Sequence, residues 1–271
     1  MRLSRGTDSR HVGLWAGAIN GRRLLLLRLE ADAALEYLIF PDHHEAHASW
    51  VSPDCRPLDV ESVFRQVVRG LIRRDCGELV LHAGAVAVDG NAIAILGASG
   101  RGKSTTLAAL ATMGCPLVCD DMAALQVDDG GNTMIATSNL GLKLWSDSLR
   151  LLGLAVGPLP KVHALTEKRV VDLPHTDQTA VPLAAILLAG PSASETAGKI
   201  TRMDPARAVM ALAAQHYPPF LPLSGNEHRF WLASLGRLVA SVPAYEINRP
   251  PSFEDLRPFC GRLMALAGQA A

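Results

Sequence analysis

Between an apolar run and a helix-forming run the chain reads Ile93-Ala-Ile-Leu-Gly97-Ala-Ser-Gly100-Arg-Gly102-Lys103-Ser104-Thr-Thr106. A G-x-x-x-x-G-K-S sequence restricts the surrounding fold, because it needs a strand before it and a helix after it. Its glycines let the backbone curl through conformations that a β-carbon forbids, so that successive N–H groups point at phosphate oxygens. The run Ser104 to Gly114 supplies the helix, whose N-terminal N–H groups and dipole add to the anion site. A nucleoside triphosphate, ATP, is therefore expected along Gly97, Ala98, Ser99, Gly100, Arg101, Gly102, Lys103, Ser104 and Thr105. Lys103 would reach the β- and γ-phosphates, and the Ser104 hydroxyl would coordinate Mg2+.

One short helix and a turn later comes Leu117-Val-Cys-Asp120-Asp121. Neighbouring side chains on a strand point to opposite faces, but at a frayed C-terminal end both carboxylates can converge on one site. One would hold Mg2+ and the other accept a proton from an attacking hydroxyl, the division of labour that phosphoryl transfer requires. For the pair alone a solvated turn is an equal reading; beside the phosphate loop the site reading prevails.

Upstream, Leu79-Val-Leu-His82-Ala-Gly-Ala-Val-Ala-Val-Asp89-Gly90-Asn-Ala-Ile-Ala-Ile-Leu96 places Asp-Gly between two apolar runs. That dipeptide is a strong hairpin signal, so the strand leading into the loop is expected to be the second arm of an antiparallel hairpin. Doubly wound nucleotide-binding folds instead enter the loop from a parallel strand. His82 stands alone in an apolar strand, where a buried structural histidine is the commoner outcome.

Together, Leu81-His82-Ala-Gly-Ala-Val, Gly97 to Thr105 and Cys119-Asp120-Asp121 resemble, in order and spacing, the catalytic domain of HPr kinase/phosphorylase. The resemblance implies an α/β fold, a mixed β-sheet with flanking helices similar to the phosphoenolpyruvate carboxykinase nucleotide core. It implies Asp120 as general base, Asp121 and Ser104 at Mg2+, Lys103 on the phosphates and His82 near the transferred group, with the two aspartates exchangeable in role. Gly141-Leu-Lys-Leu-Trp145, Glu167 to Leu173, Val181 to Leu188 and Val242 to Asn248 resemble the branch associated with modified peptides, including lasso peptide tailoring kinases. Bifunctional HPr kinases carry an E-x-R-G segment after the double aspartate; here Ser138 to Trp145 has no carboxylate before Asp147. That departure argues against HPr as acceptor and against the reverse reaction.

With 271 residues, 49% of them hydrophobic, the chain can bury a large core. We expect an N-terminal, hairpin-containing appendage over residues 1–58 and a catalytic domain over 59–271. The 26 basic and 26 acidic residues give no net field to attract nucleic acid or an anionic membrane. No apolar run approaches the roughly 20 residues that span a bilayer. Five scattered cysteines, Cys55, Cys76, Cys115, Cys119 and Cys260, suit reduced thiols in cytoplasm. Composition leaves homo-oligomerisation open.

Elsewhere, His11 to Ile19, Asn20-Gly21 and Arg22 to Leu29 read as a hairpin. Pro41 to Pro57 reads as a polar connection, in which His43 and His47 would bind metal only if they shared a helix face. Val60, Val63, Phe64, Val67, Val68, Leu71 and Ile72 recur at helical spacing after Asp59, the expected N-cap. Gln126 to Asn132 reads as a turn carrying Asp128 and Asp129, Asp204-Pro205 as a helix start, and Ser252 to Asp255 as the opening of a last amphipathic helix. Lys168, Arg169 and Arg249 are candidate phosphate or substrate contacts, although an exposed basic residue is usually just solvated.

These readings converge on an ATP-dependent kinase acting on a serine hydroxyl of a ribosomally made precursor peptide or small protein. The alternatives are an HPr serine kinase/phosphorylase, a transporter-type ATPase and a nucleotide-binding module without catalysis. Leu223-Ser-Gly-Asn226 superficially matches the transporter L-S-G-G-Q signature, but no apolar strand ending in Asp-Glu follows it.

Overall fold

The computed structural model describes residues 2–5, 12–29, 35–43, 45–50, 55–138, 140–154, 159–162, 166–191, 196–221, 223 and 225–268. Two sheets dominate it. The first is antiparallel, with strands in chain order: β1 (Arg2–Arg5), β2 (Val12–Ile19), β3 (Arg22–Leu29), β4 (Leu35–Phe40) and β5 (Glu45–Trp50). The Asn20-Gly21 turn joins β2 to β3 with positive φ at both residues, as a tight hairpin demands. The expected polar connection after Pro41 is instead a short 3-10 turn and β5, an edge strand on β4. Its exposed polar residues hid its strand character, since an edge strand need bury little. His47 therefore sits on a strand, 2.6 Å from Glu45, and shares no helix face with His43. Among the described residues no three His, Cys, Asp or Glu side chains cluster as metal ligands.

Helix α1 (Pro57–Val63), a wide π turn (Phe64–Val68) and α2 (Arg69–Asp75) follow in continuous helical backbone. Asp59 is not the N-cap. Pro57 occupies the first helical position, and Asp59, in the first turn, accepts the Arg56 backbone N–H at 3.1 Å. Val67, Val68 and Leu71 pack against Leu25, Leu27, Tyr37 and Ile39 of the first sheet, and the Tyr37 hydroxyl donates to the Val60 carbonyl.

The second sheet is mixed. Its order is β6 (Leu79–Leu81), β10 (Ala123–Val127), β11 (Thr133–Ala136), β14 (Ala180–Ala189), β8 (Asn91–Leu96), β7 (Ala83–Val88) and β9 (Leu117–Cys119), with β16 (Ala244–Ile247) on β14 and β15 (Ile200–Arg202) on β16. β14 runs parallel to β8 and β16; the other pairings are antiparallel. A two-stranded ribbon pairs β12 (Leu142–Leu144) with β13 (Arg169–Val171).

Alternation along β8 divides the core. Ile93 and Ile95 point to the face covered by α3 (Lys103–Thr112) and α7 (Phe253–Ala267), against Leu107, Leu110, Phe259 and Leu263. Ala94 and Leu96 point to the face covered by α5 (Pro205–Ala213) and α6 (Gly225–Ser241), against Leu212, Trp231, Leu235 and Leu238. The short α4 (Ser146–Leu151) adds Leu149 to the first of these cores. Both faces are thus buried, which accounts for the unbroken apolar runs of the strands. Asp204 caps α5 by accepting from Arg207 N–H at 2.9 Å, and Ser252 caps α7 through Asp255 N–H at 3.1 Å, as expected.

Candidate active site

The hairpin read from Asp89-Gly90 sets the site. β7 and β8 pair from Ala83↔Leu96 to Val88↔Asn91, with φ of 49° at Asp89 and 83° at Gly90. β9 is also antiparallel to β7, with Ala85 opposite Cys119, so β8 and β9 run in one direction two strands apart, about 10 Å. His82 at the start of β7, Gly97 at the end of β8 and Asp120 at the end of β9 consequently share one sheet edge.

Residues Gly97 to Gly102 loop from that edge into α3. Gly97, Gly100 and Gly102 have φ of 135°, 80° and 80°, and a Cβ on Gly97 would lie 2.9 Å from the Ala189 carbonyl oxygen. Lys103 folds over the loop and donates to the Gly97 carbonyl at 2.7 Å and the Ala98 carbonyl at 3.3 Å. Burial lowers its pKa, while Asp121 and Asp120 act in the opposite direction. The Thr105 hydroxyl pairs with Ser148 at 2.8 Å, and the Thr106 hydroxyl with the Gly102 carbonyl at 3.0 Å. Thr105 can therefore offer a ligand little beyond its backbone N–H.

Asp120 and Asp121 form a tight turn, with Asp121 at φ 61°. Both carboxylates converge on Lys143 of β12: Asp120 accepts its backbone N–H at 3.0 Å, and Asp121 pairs with its Nζ at 2.7 Å. The Lys143 side chain is only 7% exposed. Burial, reinforced by repulsion from Asp121, raises the Asp120 carboxyl above the ordinary range. Burial would raise Asp121 as well, but His82 and the Lys143 ammonium hold it below that range. His82 Nε2 lies 3.8 Å from Asp121, too far for a hydrogen bond, so the Lys143 contact carries the anion. The environment thus separates two chemically identical groups into one with high and one with low proton affinity.

His82 departs from the expectation of a buried structural residue: the chain bends there, between β6 and β7, and its ring is partly exposed beside Asp121. Lys143 was missed as a site residue, although a lysine between two leucines of a strand-like run was the available signal. Of the three basic residues singled out, Arg169 donates to the Leu159 carbonyl at 3.0 Å and lies 3.8 Å from Glu167. Lys168 stands 5.4 Å over the exposed Trp145 ring and adds positive potential at Lys103 and Asp120. Arg249 abuts Gly102. Asp128 binds Asn132 within its own turn, away from this edge, as expected. Asn139, and Ser224 of the Leu223 to Asn226 match, lie outside the described residues.

The donor set suits Mg2+, which retains several waters and takes one or two carboxylates together with phosphate oxygens. Ser104 and Asp121 would hold it.

No protein-family model matches the chain, and no curated protein does. Among solved structures, the HPr(Ser) kinase/phosphatase from Coxiella burnetii is similar over 70% of this chain and 94% of its own, at 14% identity and a TM-score of 0.34. At that score the site's own geometry has to carry any functional reading.

Proposed function

We propose that the protein is a kinase that transfers the γ-phosphoryl group of ATP to a serine hydroxyl, on a ribosomally made precursor peptide of the lasso-tailoring kind. The observation that carries this reading is the meeting, at one sheet edge, of a glycine-rich phosphate loop and two carboxylates of opposed proton affinity. In this reading residues 59–271 are the catalytic unit and 1–58 an appendage, working in cytoplasm, where the five free cysteines would stay reduced.

Each residue then has one task. Loop N–H groups from Gly97 to Thr105 hold the phosphates, and Lys103 exchanges its loop carbonyls for β- and γ-oxygens. Asp120 takes the serine proton as the serine oxygen bonds to the γ-phosphorus and the bond to the β-phosphate oxygen breaks, releasing ADP. Its raised proton affinity favours that acceptance. Mg2+, when bound, neutralises phosphate charge. Lys143 positions both carboxylates, and His82 stands near the transferred group. The peptide acceptor is supported by the resemblance of the Lys143 and Glu167–Leu173 segments and by the missing E-x-R-G. An extended peptide also threads to a recessed phosphate more readily than a folded hydroxyl does.

The test is incubation with ATP, Mg2+ and a candidate serine-containing precursor peptide, followed by intact mass and fragment ions. Phosphate on one peptide serine is expected. Phosphorylation of HPr with the peptide untouched would overturn the acceptor, and ATP hydrolysis with neither modified would favour the ATPase alternative.

A further inference from the structure

The chain leaving β16 arrives at the same edge as the phosphate loop. β16 is parallel to β14, with Ala189 opposite Ile247, and β14 is parallel to β8, with Leu188 opposite Leu96. Two residues past β16 lies Arg249, and a Cβ built on Gly102 would stand 2.6 Å from its Nε and 3.2 Å from its Cδ. The guanidinium therefore packs directly on the last loop glycine before Lys103.

Its electrostatic setting is unusual. The Nε and Nη1 atoms of Arg249 are buried without a hydrogen-bond partner among the described residues. Arg22, Arg74 and Arg169 each bury one unpartnered nitrogen too, but each has a glutamate within 4 Å of another nitrogen: Glu45 at 2.5 Å, Glu227 at 3.0 Å and Glu167 at 3.8 Å. Arg249 has no such carboxylate among the described residues. Burial lowers its pKa, and the one group acting against that is the Cys260 thiol. Arg249 is half-buried, but two shielded, idle donors are costly to keep, and a planar fork of N–H groups matches the oxygens of a phosphoryl group.

We propose that Arg249 is a nucleotide-binding residue, whose guanidinium contacts the phosphate oxygens of the nucleotide held by the Gly97 to Lys103 loop. The inference rests on the phosphate-loop reading and adds a cation, from the far end of the chain, to the loop's own lysine. The missing counter-anion is then the ligand itself.

Titration calorimetry of the full-length protein, Arg249→Met and Arg249→Lys with Mg-ATP, inorganic triphosphate and adenosine tests it, alongside melting of each ligand-free variant. Loss of a charge-assisted hydrogen bond predicts that Arg249→Met binds Mg-ATP and triphosphate about 10- to 100-fold more weakly. Adenosine affinity should not change, and the ligand-free variant should melt no lower than wild type, because two buried, unsatisfied donors have been removed. Arg249→Lys should recover only part of the loss, since a point charge lacks the fork. Wild type that binds neither ATP nor triphosphate would refute the phosphate-loop reading. Wild type that binds, with an Arg249→Met variant binding equally, would overturn the Arg249 assignment alone. A methionine variant that melts lower and loses adenosine as much as triphosphate would also overturn it, by making Arg249 structural.

Discussion

Replacing Lys143 with methionine removes the Nζ that pairs with Asp121 while leaving the backbone N–H that Asp120 accepts. Methionine fills similar volume with a flexible apolar chain, so the change isolates the charge. Removing one partner of a buried ion pair costs about 3–5 kcal/mol, because the remaining charge is left uncompensated. The lower end applies here, since the Asp121 side chain is 27% exposed and keeps His82 at 3.8 Å. At about 2–4 °C per kcal/mol for a chain of this size, Lys143→Met should melt about 6–12 °C below wild type. Neutralising the stranded carboxylate should reverse much of that: Lys143→Met/Asp121→Asn is expected to melt above the single lysine variant, with a coupling of about 1–3 kcal/mol. Circular dichroism of wild type, both single variants and the double variant completes the cycle. A Lys143→Met protein within about 2 °C of wild type, or a double variant no more stable than that single one, would refute the argument.

Lys103→Ala should weaken ATP binding about 10- to 100-fold while the fold survives, measured by calorimetry with circular dichroism as the control. Gly97→Ala would place a Cβ 2.9 Å from the Ala189 carbonyl at a φ of 135°; urea denaturation should show a loss of about 1–3 kcal/mol, and nucleotide binding should fall with it. Asp121→Asn should raise the Mg2+ concentration needed for half-maximal turnover, read from a Mg2+ titration at saturating ATP; the same shift in Asp120→Asn instead would exchange the two roles.

The loop, the Asp89-Gly90 hairpin and the double aspartate were legible because each is a short-range device whose chemistry fixes neighbouring residue types. Lys143 was not, because its partners lie 22 and 23 residues away along the chain and meet it only in the folded structure. Helix α6 was passed over amid prolines and glycines, although Trp231, Leu235 and Leu238 keep helical spacing. Asp59 drew the helix start three residues too late, where Pro57 was the stronger signal. Arg249 stood out as a cation, but nothing in its neighbourhood along the chain told that Gly102, 147 positions earlier, would lie against it.

Phosphoryl transfer itself is most directly tested with radiolabelled γ-phosphate. Wild type, Lys103→Ala and Asp120→Asn are each incubated with labelled ATP, Mg2+ and the serine-containing precursor peptide, and ATP binding is measured in parallel. Wild type should label the peptide. Lys103→Ala should lose binding and label together, whereas Asp120→Asn should bind ATP nearly as wild type does yet transfer about 10^2- to 10^4-fold more slowly. Wild-type transfer rates in Asp120→Asn would contradict the assignment of that carboxylate as the base, and with it the proposed catalytic role of the paired aspartates.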